Sequence, residues 1–388
     1  MKTSINLVIF LILITILLSI SGFYLHYRII NLTPWLKNYT IYIKFSILFF
    51  LVLQLFGPLT YRLWPSHQNF PFILQWLTYI TLGFFSSLLF YFIFAEIFNF
   101  ILMPLFNPVI VDERRVFIGV SILTFLNGYW GFKNAVSDPV IENIDIPFPD
   151  LPPDLVNLRC LQISDLHVGP TIDKSYVERL VQISNLQNPD LIFLTGDLCD
   201  GTVDHLKDQI EPLKKLKSKF GIFYITGNHE YYWDGQAWID YFKSCNFTVL
   251  LNSHQVIKIG NAQLSIGGCT DLKAETFISE HKCDAIKTIS AMPENSFKLL
   301  LAHQPNTFKQ FANSTYKVDL QLSGHTHGGQ FFPWSIAVYA AQKYIKGLYL
   351  EDKTYIYVNR GTGYWGPPFR FPEKSEVTLI TFIKGNYK

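Results

Sequence analysis

Residues 191–200 read Leu-Ile-Phe-Leu-Thr-Gly-Asp-Leu-Cys-Asp, an apolar run that ends abruptly in a glycine and two carboxylates. A short apolar run bounded in this way predicts a buried strand over 191–195. The glycine allows a tight turn, so Asp197 would stand just beyond the carboxyl end of that strand. The pattern recurs along the chain. Residues 158–164 run into Asp165-Leu166-His167, and 221–226 into Gly227-Asn228-His229-Glu230. Residues 297–302 deliver His303, and 320–323 lead into Gly324-His325-Thr326-His327-Gly328-Gly329. Further strands are expected over 262–267, 354–359 and 376–383, with helices over 176–185 and 205–217. This alternation predicts an α/β layered domain over 158–388.

Loops that leave the carboxyl ends of strands are where α/β sites form, because the sheet aims their side chains into one crevice. The chemistry delivered there is uniform: carboxylate, imidazole and amide oxygen, with no thiolate. Such donors suit hard to borderline divalent ions, Mn, Fe, Zn or Mg. A carboxylate shared by two cations can bridge them, and a pair about 3.5–4 Å apart can clamp an in-line displacement at phosphorus. Taken alone, an Asp-Leu-His tripeptide is most often a turn or a helix cap. Five such pieces in succession, each after an apolar run, are specific. They hold five of the ten histidines, His167, His229, His303, His325 and His327. The other five, His26, His67, His205, His254 and His281, read as surface or structural residues.

The chain outside this domain has another character. Hydrophobic residues make up 49% of the 388 and charged residues only 16%, below the roughly 25% of a soluble protein. The deficit lies before Lys133. Residues 5–23, 45–61 and 116–132 carry no charge, and 70–111 carry only Glu96. Each approaches the ~20 apolar residues that cross a bilayer, so residues 1–135 predict an all-α transmembrane region of about four helices. Pro104 and Pro108 end the third stretch, and Glu96 reads as lying near headgroups. The polar, proline-rich segment 136–157 reads as a connector, with 140–146 as an opening strand. Four spans place the catalytic domain on the side of Lys2, Arg62 and Lys133. Arg28, Lys37, Lys44, Arg114 and Arg115 mark the other side, which leans the domain toward the extracytoplasmic face. The net charge of +2 and the lack of a basic stripe give no reason to expect nucleic acid as a partner. Five cysteines, an odd number without a CxxC pair, predict no disulfide framework.

The succession DLH, GDLCD, GNHE, AHQPN and GHTHGGQ resembles the calcineurin-like metallophosphoesterase superfamily. The closing GTGYWGPPFR resembles its YkuE-like, membrane-associated bacterial branch. The resemblance covers residues from about 144 onward. It implies a four-layer αββα metallophosphoesterase sandwich holding two divalent metal ions. Carried onto this sequence, Asp165, His167 and His327 would hold one metal and Asn228, His303 and His325 the other, with Asp197 bridging. His229 would be catalytic, protonating the leaving oxygen while a metal-activated hydroxide attacks. Asp200 would orient its neighbours. Cys199 and Gln304-Pro305-Asn306 are minor departures from the pattern. In 361–371, either Arg370 would grip a substrate phosphate or carboxylate, with Tyr364, Trp365, Phe369 and Phe371 lining an apolar pocket or facing the membrane, or the segment is a rigid capping loop that packs over the site. Arg360 is ambiguous on the same grounds.

The expectation is therefore a metal-dependent phosphohydrolase in a multi-pass bacterial cytoplasmic-membrane protein. Its substrate would carry a phosphoester or pyrophosphate bond and be lipid-linked or close to the membrane. Two alternatives stand beside it: a UDP-diacylglucosamine-type pyrophosphatase, and a non-catalytic metal-binding membrane scaffold or sensor.

Overall fold

The computed structural model describes residues 2–63, 72–102 and 113–387. The chain forms two compact units, Met1–Phe132 with Gly366–Phe369, and Lys133–Trp365 with Arg370–Lys388.

The first unit holds α1 (Lys2–Leu32), α2 (Thr40–Leu63), α3 (Phe72–Leu102) and most of α4 (Glu113–Val136). Four spans were expected, whereas among the described residues three of these helices contain stretches long and apolar enough to cross a membrane: Ile12–Asn31, Leu36–Leu55 and Ile73–Ile101. At most 17% of each stretch is buried within the protein. Side chains such as Leu17, Phe45 and Phe100 are left exposed, as on helices whose solvent is lipid. Helix α4 is not among the three, since it begins with Glu113-Arg114-Arg115 and carries Asn127, Lys133 and Asn134. Glu96 is paired with the Arg28 guanidinium at 2.6 Å, joining α3 to α1. A charge among apolar helices is tolerated when it is paired in this way. Pro104 and Pro108 lie outside the described residues.

The second unit is built on twelve strands: β1 (Val140–Phe148), β2 (Arg159–Ile163), β3 (Leu191–Leu194), β4 (Ile222–Tyr224), β5 (Thr248–Val249), β6 (Ser253–Ile259), β7 (Ala262–Gly268), β8 (Phe297–Leu301), β9 (Leu320–Ser323), β10 (Gly347–Glu351), β11 (Thr354–Val358) and β12 (Glu376–Lys384). They form two six-stranded sheets, ordered β1-β12-β2-β3-β4-β5 and β10-β11-β9-β8-β7-β6. The centre of each sheet is parallel, β2–β3–β4 in one and β7–β8–β9–β11 in the other. Six helices complete the domain: α5 (Lys174–Leu186), α6 (Val203–Ile210), α7 (Asn228–Trp233), α8 (Gly235–Ser244), α9 (Ala285–Ser290) and α10 (Trp334–Ala341).

Alternation along the strands sorts side chains into layers. In β3, Leu191 and Phe193 face the second sheet, where they meet Leu299, Leu301, Leu320 and Leu322. Ile192 and Leu194 point the other way, onto Val177 and Leu180 of α5 and Trp238 and Phe242 of α8. On the far face of the second sheet, Leu300 and Ile356 pack on Ile289, Phe308 and Phe311. The result is the expected four-layer αββα sandwich. Central strands buried on both faces read as continuous apolar runs, which is why 191–194 carries no polar residue. Helix α5 starts where the Asp173 carboxylate accepts the Tyr176 N–H at 3.1 Å, a cap at its first turn.

One boundary differs from the sequence reading. The segment 136–157 is no loose connector, because β1 pairs in parallel with β12 along its whole length, from Val140↔Glu376 to Phe148↔Lys384. The domain's first sheet is thus closed by two strands more than 220 residues apart in sequence, a pairing that no local pattern signals.

Phe193 is fully buried between the sheets. Phe193→Ala is expected to cost about 3–5 kcal/mol of stability, whereas Leu186→Ala, at a side chain 75% exposed, is expected to cost under about 0.5 kcal/mol. Urea unfolding of the detergent-solubilised chain, followed by near-ultraviolet circular dichroism, checks both.

Candidate metal centre

Five strands converge at one end of the sandwich. β2 delivers Asp165 and His167, β3 delivers Asp197 and Asp200, and β4 runs into Asn228 and His229 at the start of α7. β8 delivers His303, and β9 delivers His325 and His327. The turns that present them are strained. Asp165, His167, Asp197, His325 and His327 all have positive φ, between 52° and 74°, a region that costs a non-glycine residue free energy and persists only where surrounding contacts impose it. Here backbone bonds impose it: Asp165 N–H donates to Gly196 O at 3.0 Å, His167 N–H to Asp197 O at 3.1 Å, and Gly324 N–H to His303 O at 2.9 Å. Two glycines are required by close approach. A Cβ on Gly227 would stand 2.1 Å from Asp197 Oδ1, and one on Gly324 would stand 2.1 Å from Asp165 Oδ2.

The donor atoms gather in overlapping groups, each within 4.8 Å: Asp165, His167 and His327; His167, Asp197 and His229; Asp197, His303 and His325. Asp197 is common to the last two, which puts its carboxylate in the middle. His303 shows what that carboxylate faces. Its Nδ1 donates to Thr195 O at 2.8 Å and its Nε2 stands 3.1 Å from Asp197 Oδ2; burial opposes charge on the ring, but the Asp197 and Asp165 carboxylates outweigh it and hold the His303 pKa well above its ordinary value. Two electron-rich acceptors at that distance repel unless a proton or a cation lies between them. His303 Nε2 and Asn228 Oδ1 are both buried without a hydrogen-bond partner, an arrangement that is costly for polar atoms unless they serve as ligands. His167 Nε2 and His327 Nε2 face each other at 3.0 Å and share at most one proton. Buried oxygen and nitrogen donors with unspent lone pairs fit divalent cations.

Electrostatics favours the neutral ligand form at His325 and His327. Burial, and then the charge of His303, pull the His325 pKa down to about 3. His327 is pulled well below its ordinary value by burial and its neighbour His167. Neutral imidazole is the form that binds metal. His229 behaves differently: burial opposes its charge, but the carboxylates of Asp200 and Asp197 outweigh that and raise its pKa to about 9. Asp200 contacts two rings at once, with Oδ2 3.2 Å from His167 Nδ1 and Oδ1 hydrogen-bonded to His229 Nδ1. One carboxylate can therefore orient both rings.

Arg370 does not meet the expectation of a substrate grip. It is fully buried, and its guanidinium donates to Gly363 O at 2.8 Å, to Arg360 O at 2.6 Å and to His327 Nδ1 at 3.2 Å. It is a brace behind the His327 ligand turn. Arg360 is likewise structural, tied to Glu142, Glu373 and Glu376. Tyr364 is buried, with its hydroxyl donating to Thr171 O at 3.1 Å. Trp365 is 55% exposed. Cys199 is fully buried and bridges in register to Val168. All five cysteines are free. His205 bonds Thr202 and His281 bonds Tyr231, both outside the cluster, and His67 lies outside the described residues.

Sequence reasoning assigned no role to Glu230. It is fully buried, and its two oxygens accept the N–H groups of Gly227 at 2.7 Å, Asp197 at 3.0 Å and Leu198 at 2.6 Å. One carboxylate thus ties the β3 loop to the β4 loop. Its place three residues after Gly227 at a helix start was the available signal, since a glutamate there reaches back to the preceding N–H. Gln304 gains a partner too, donating to both oxygens of buried Asp271 at 3.1 and 3.0 Å. Glu230→Ala would leave three buried N–H groups unpaired around Asp197. It is expected to weaken manganese binding by about 10–100-fold, measured by isothermal titration of the metal-stripped chain.

Comparison with known proteins agrees with this geometry. Residues 158–329 match the model of the calcineurin-like phosphoesterase family. A "transmembrane protein with metallophosphoesterase domain" from Danio rerio is 36% identical over 265 residues, 67% of this chain and 61% of that protein. An "uncharacterized metallophosphoesterase" of Helicobacter pylori is 35% identical over 269 residues, 68% of this chain and 70% of that protein. The "uncharacterized metallophosphoesterase YkuE" of Bacillus subtilis is 31% identical over 279 residues, 69% of this chain and 94% of that protein. The chain spans 56–62% of the length of its animal relatives from Danio rerio, Caenorhabditis elegans and Bos taurus. With the strand-end motifs, the αββα layers and these matches in agreement, the chain belongs to the calcineurin-like phosphoesterase family.

Proposed function

We propose that this chain is a membrane-anchored, metal-dependent phosphohydrolase that cleaves a phosphoester or pyrophosphate bond. The observation that carries this reading is the gathering of six buried or half-buried donor residues around Asp197, with His303 Nε2 and Asn228 Oδ1 buried without a hydrogen-bond partner. In this reading Asp165, His167 and His327 hold one divalent cation, Asn228, His303 and His325 hold a second, and Asp197 lies between them. When bound, such a pair supplies water of lowered pKa and neutralises phosphoryl charge.

The chain's own residues supply the rest. Asp200 fixes the His229 ring through Nδ1, which leaves Nε2 as the working atom. With a pKa raised to about 9, His229 carries its proton at neutral pH and stands ready as a general acid. Water adds to phosphorus, leaving its OH there and releasing one proton to solvent, the bond from phosphorus to the leaving oxygen breaks, the proton on His229 Nε2 passes to that oxygen, and His229 is then reprotonated from solvent. Glu230 and Arg370 hold the loops that carry the ligands and take no part in proton transfer.

The anchor supports a substrate that is lipid-linked or close to the membrane. A domain on the same chain as three bilayer-length apolar helices meets lipid headgroups at high effective concentration. Were α4 to cross as a fourth span, the five-against-three division of basic residues, Arg28, Lys37, Lys44, Arg114 and Arg115 against Lys2, Arg62 and Lys133, would support a catalytic domain outside the cytoplasm; with only the three spans of α1 to α3 that division does not hold.

Manganese-dependent hydrolysis of a chromogenic phosphodiester by the detergent-solubilised chain tests the reading. Asp197→Ala is expected to abolish turnover and metal binding together. His229→Ala is expected to lower kcat for an ester with a poor leaving group by about 10²–10⁴-fold while metal content stays intact. A chain that binds metal tightly and cleaves no phosphoester would overturn the proposal in favour of a scaffold.

A further inference from the structure

Three partly exposed aromatic side chains lie at or next to His229. The Tyr232 ring lies 5.0 Å from the His229 ring at 55°, and the Trp365 ring lies 5.5 Å from it at 75°. Phe277 extends the row, 5.6 Å from Tyr232. They are 38% (Tyr232), 55% (Trp365) and 48% (Phe277) exposed. An apolar side chain exposed alone needs no explanation, but a contiguous group beside a proton donor marks a binding surface.

The placement of Trp365 is the second observation. Its backbone N–H donates to Gln330 Oε1 at 3.0 Å, and Gln330 Nε2 donates back to its carbonyl at 2.9 Å. Gln330 follows directly on the His327-Gly328-Gly329 turn, with its own φ at 51°. One side-chain amide therefore ties the Trp365 backbone to the turn that carries His327, and the indole itself rests edge-on against the His229 ring. A tryptophan whose backbone is fixed and whose ring already packs on one neighbour has lost part of the conformational freedom that binding would otherwise remove, which is how an aromatic anchor is pre-organised. Neither hydrogen bond is needed to bury apolar surface, since the indole stays half in solvent.

We infer that Tyr232, Trp365 and Phe277 form the seat for the leaving-group half of the substrate, and that this half is a large apolar body rather than a small polar alcohol. This rests on the proposed hydrolase reading, because it is the role of His229 as leaving-group acid that assigns the rim to that side of the scissile bond. The apolar body has two chemical sources, a fatty acyl glycerol and a flat aromatic ring system. Both bury on aromatic faces, and both exclude the water that competes for the proton of His229.

The test is a series of esters with one phosphoryl half and leaving alcohols matched in acidity but graded in apolar bulk: ethyl, octyl and 3-phenylpropyl. With the manganese-loaded full chain in detergent, kcat/KM is expected to rise at least ~10-fold from ethyl to the better bulky ester, mainly through KM. In Trp365→Ala and in Phe277→Ala the ratio of bulky to ethyl kcat/KM is expected to fall several-fold. In Trp365→Phe, most of the ratio is retained. Preference for octyl identifies an acyl chain, and preference for 3-phenylpropyl a ring system. A wild type that does not discriminate, or variants that lose activity on all three esters in equal proportion, would overturn the inference. If no ester is cleaved at all, the hydrolase reading fails on its own. The rim is then judged by calorimetric binding of the matching ethyl and octyl phosphonates, where equal affinities overturn it.

Discussion

The second unit is organised around an electrostatic conflict at Asp197. Its carboxylate is buried with that of Asp165 among imidazoles, with His303 Nε2 3.1 Å away, in surroundings nearly sealed from water. Burying polar acceptors against one another is unfavourable unless positive charge lies between them. Every feature of the site either sharpens that conflict or holds it in place. Positive φ at five residues in three ligand turns, and the close approaches at Gly227 and Gly324, would destabilise an ordinary loop, and the Glu230 tie and the Arg370 brace hold these loops in place. Together they fix the donors in a geometry that positive charge, a proton or a cation, completes.

The fold makes such a concentration of strain tolerable. The two parallel sheet centres are apolar on both faces, packed against each other through Phe193, Leu299 and Leu322 and against helices on the outside. That burial favours the folded state by a margin that can offset a few kcal/mol stored in loops. Parallel strands also end on the same side, so ligands separated by more than 160 residues arrive at one place without long excursions of the chain. The braces differ in kind from the ligands. Glu230 and Arg370 both satisfy backbone groups of ligand loops, one from the β4 side and one from the closing segment, and both are sealed from solvent.

The membrane half follows a simpler logic. Its helices are apolar nearly all round, so their identity is carried by composition more than by any pairing. Where a charge does occur, as at Glu96, it has a partner in Arg28. Composition and run length are therefore enough to specify the four helices. The lower apolarity of α4, with Glu113, Arg114 and Arg115 in its first turn, separates it from the three bilayer-length spans, although its uncharged stretch 116–132 reads as a fourth span in the sequence.

The amino-acid order was sufficient for the buried strands, the residues standing at their ends and the chemical kind of donor they offer. These are local properties: an apolar run specifies burial, and a glycine followed by a carboxylate or imidazole specifies a turn that presents it. Which partner each long or polar side chain finds was settled only by the assembled fold. Arg370 looked like a free cation in an aromatic loop and proved to be a buried brace, because its partners at Arg360, Gly363 and His327 come together only when β9, β11 and the closing segment meet. Glu230 acquired its role from N–H groups on a neighbouring strand's loop, and Trp365 from an amide 35 residues away. The pairing of β1 with β12 was invisible for the same reason. Burial is written in the neighbours along the chain, whereas partnership depends on neighbours in space.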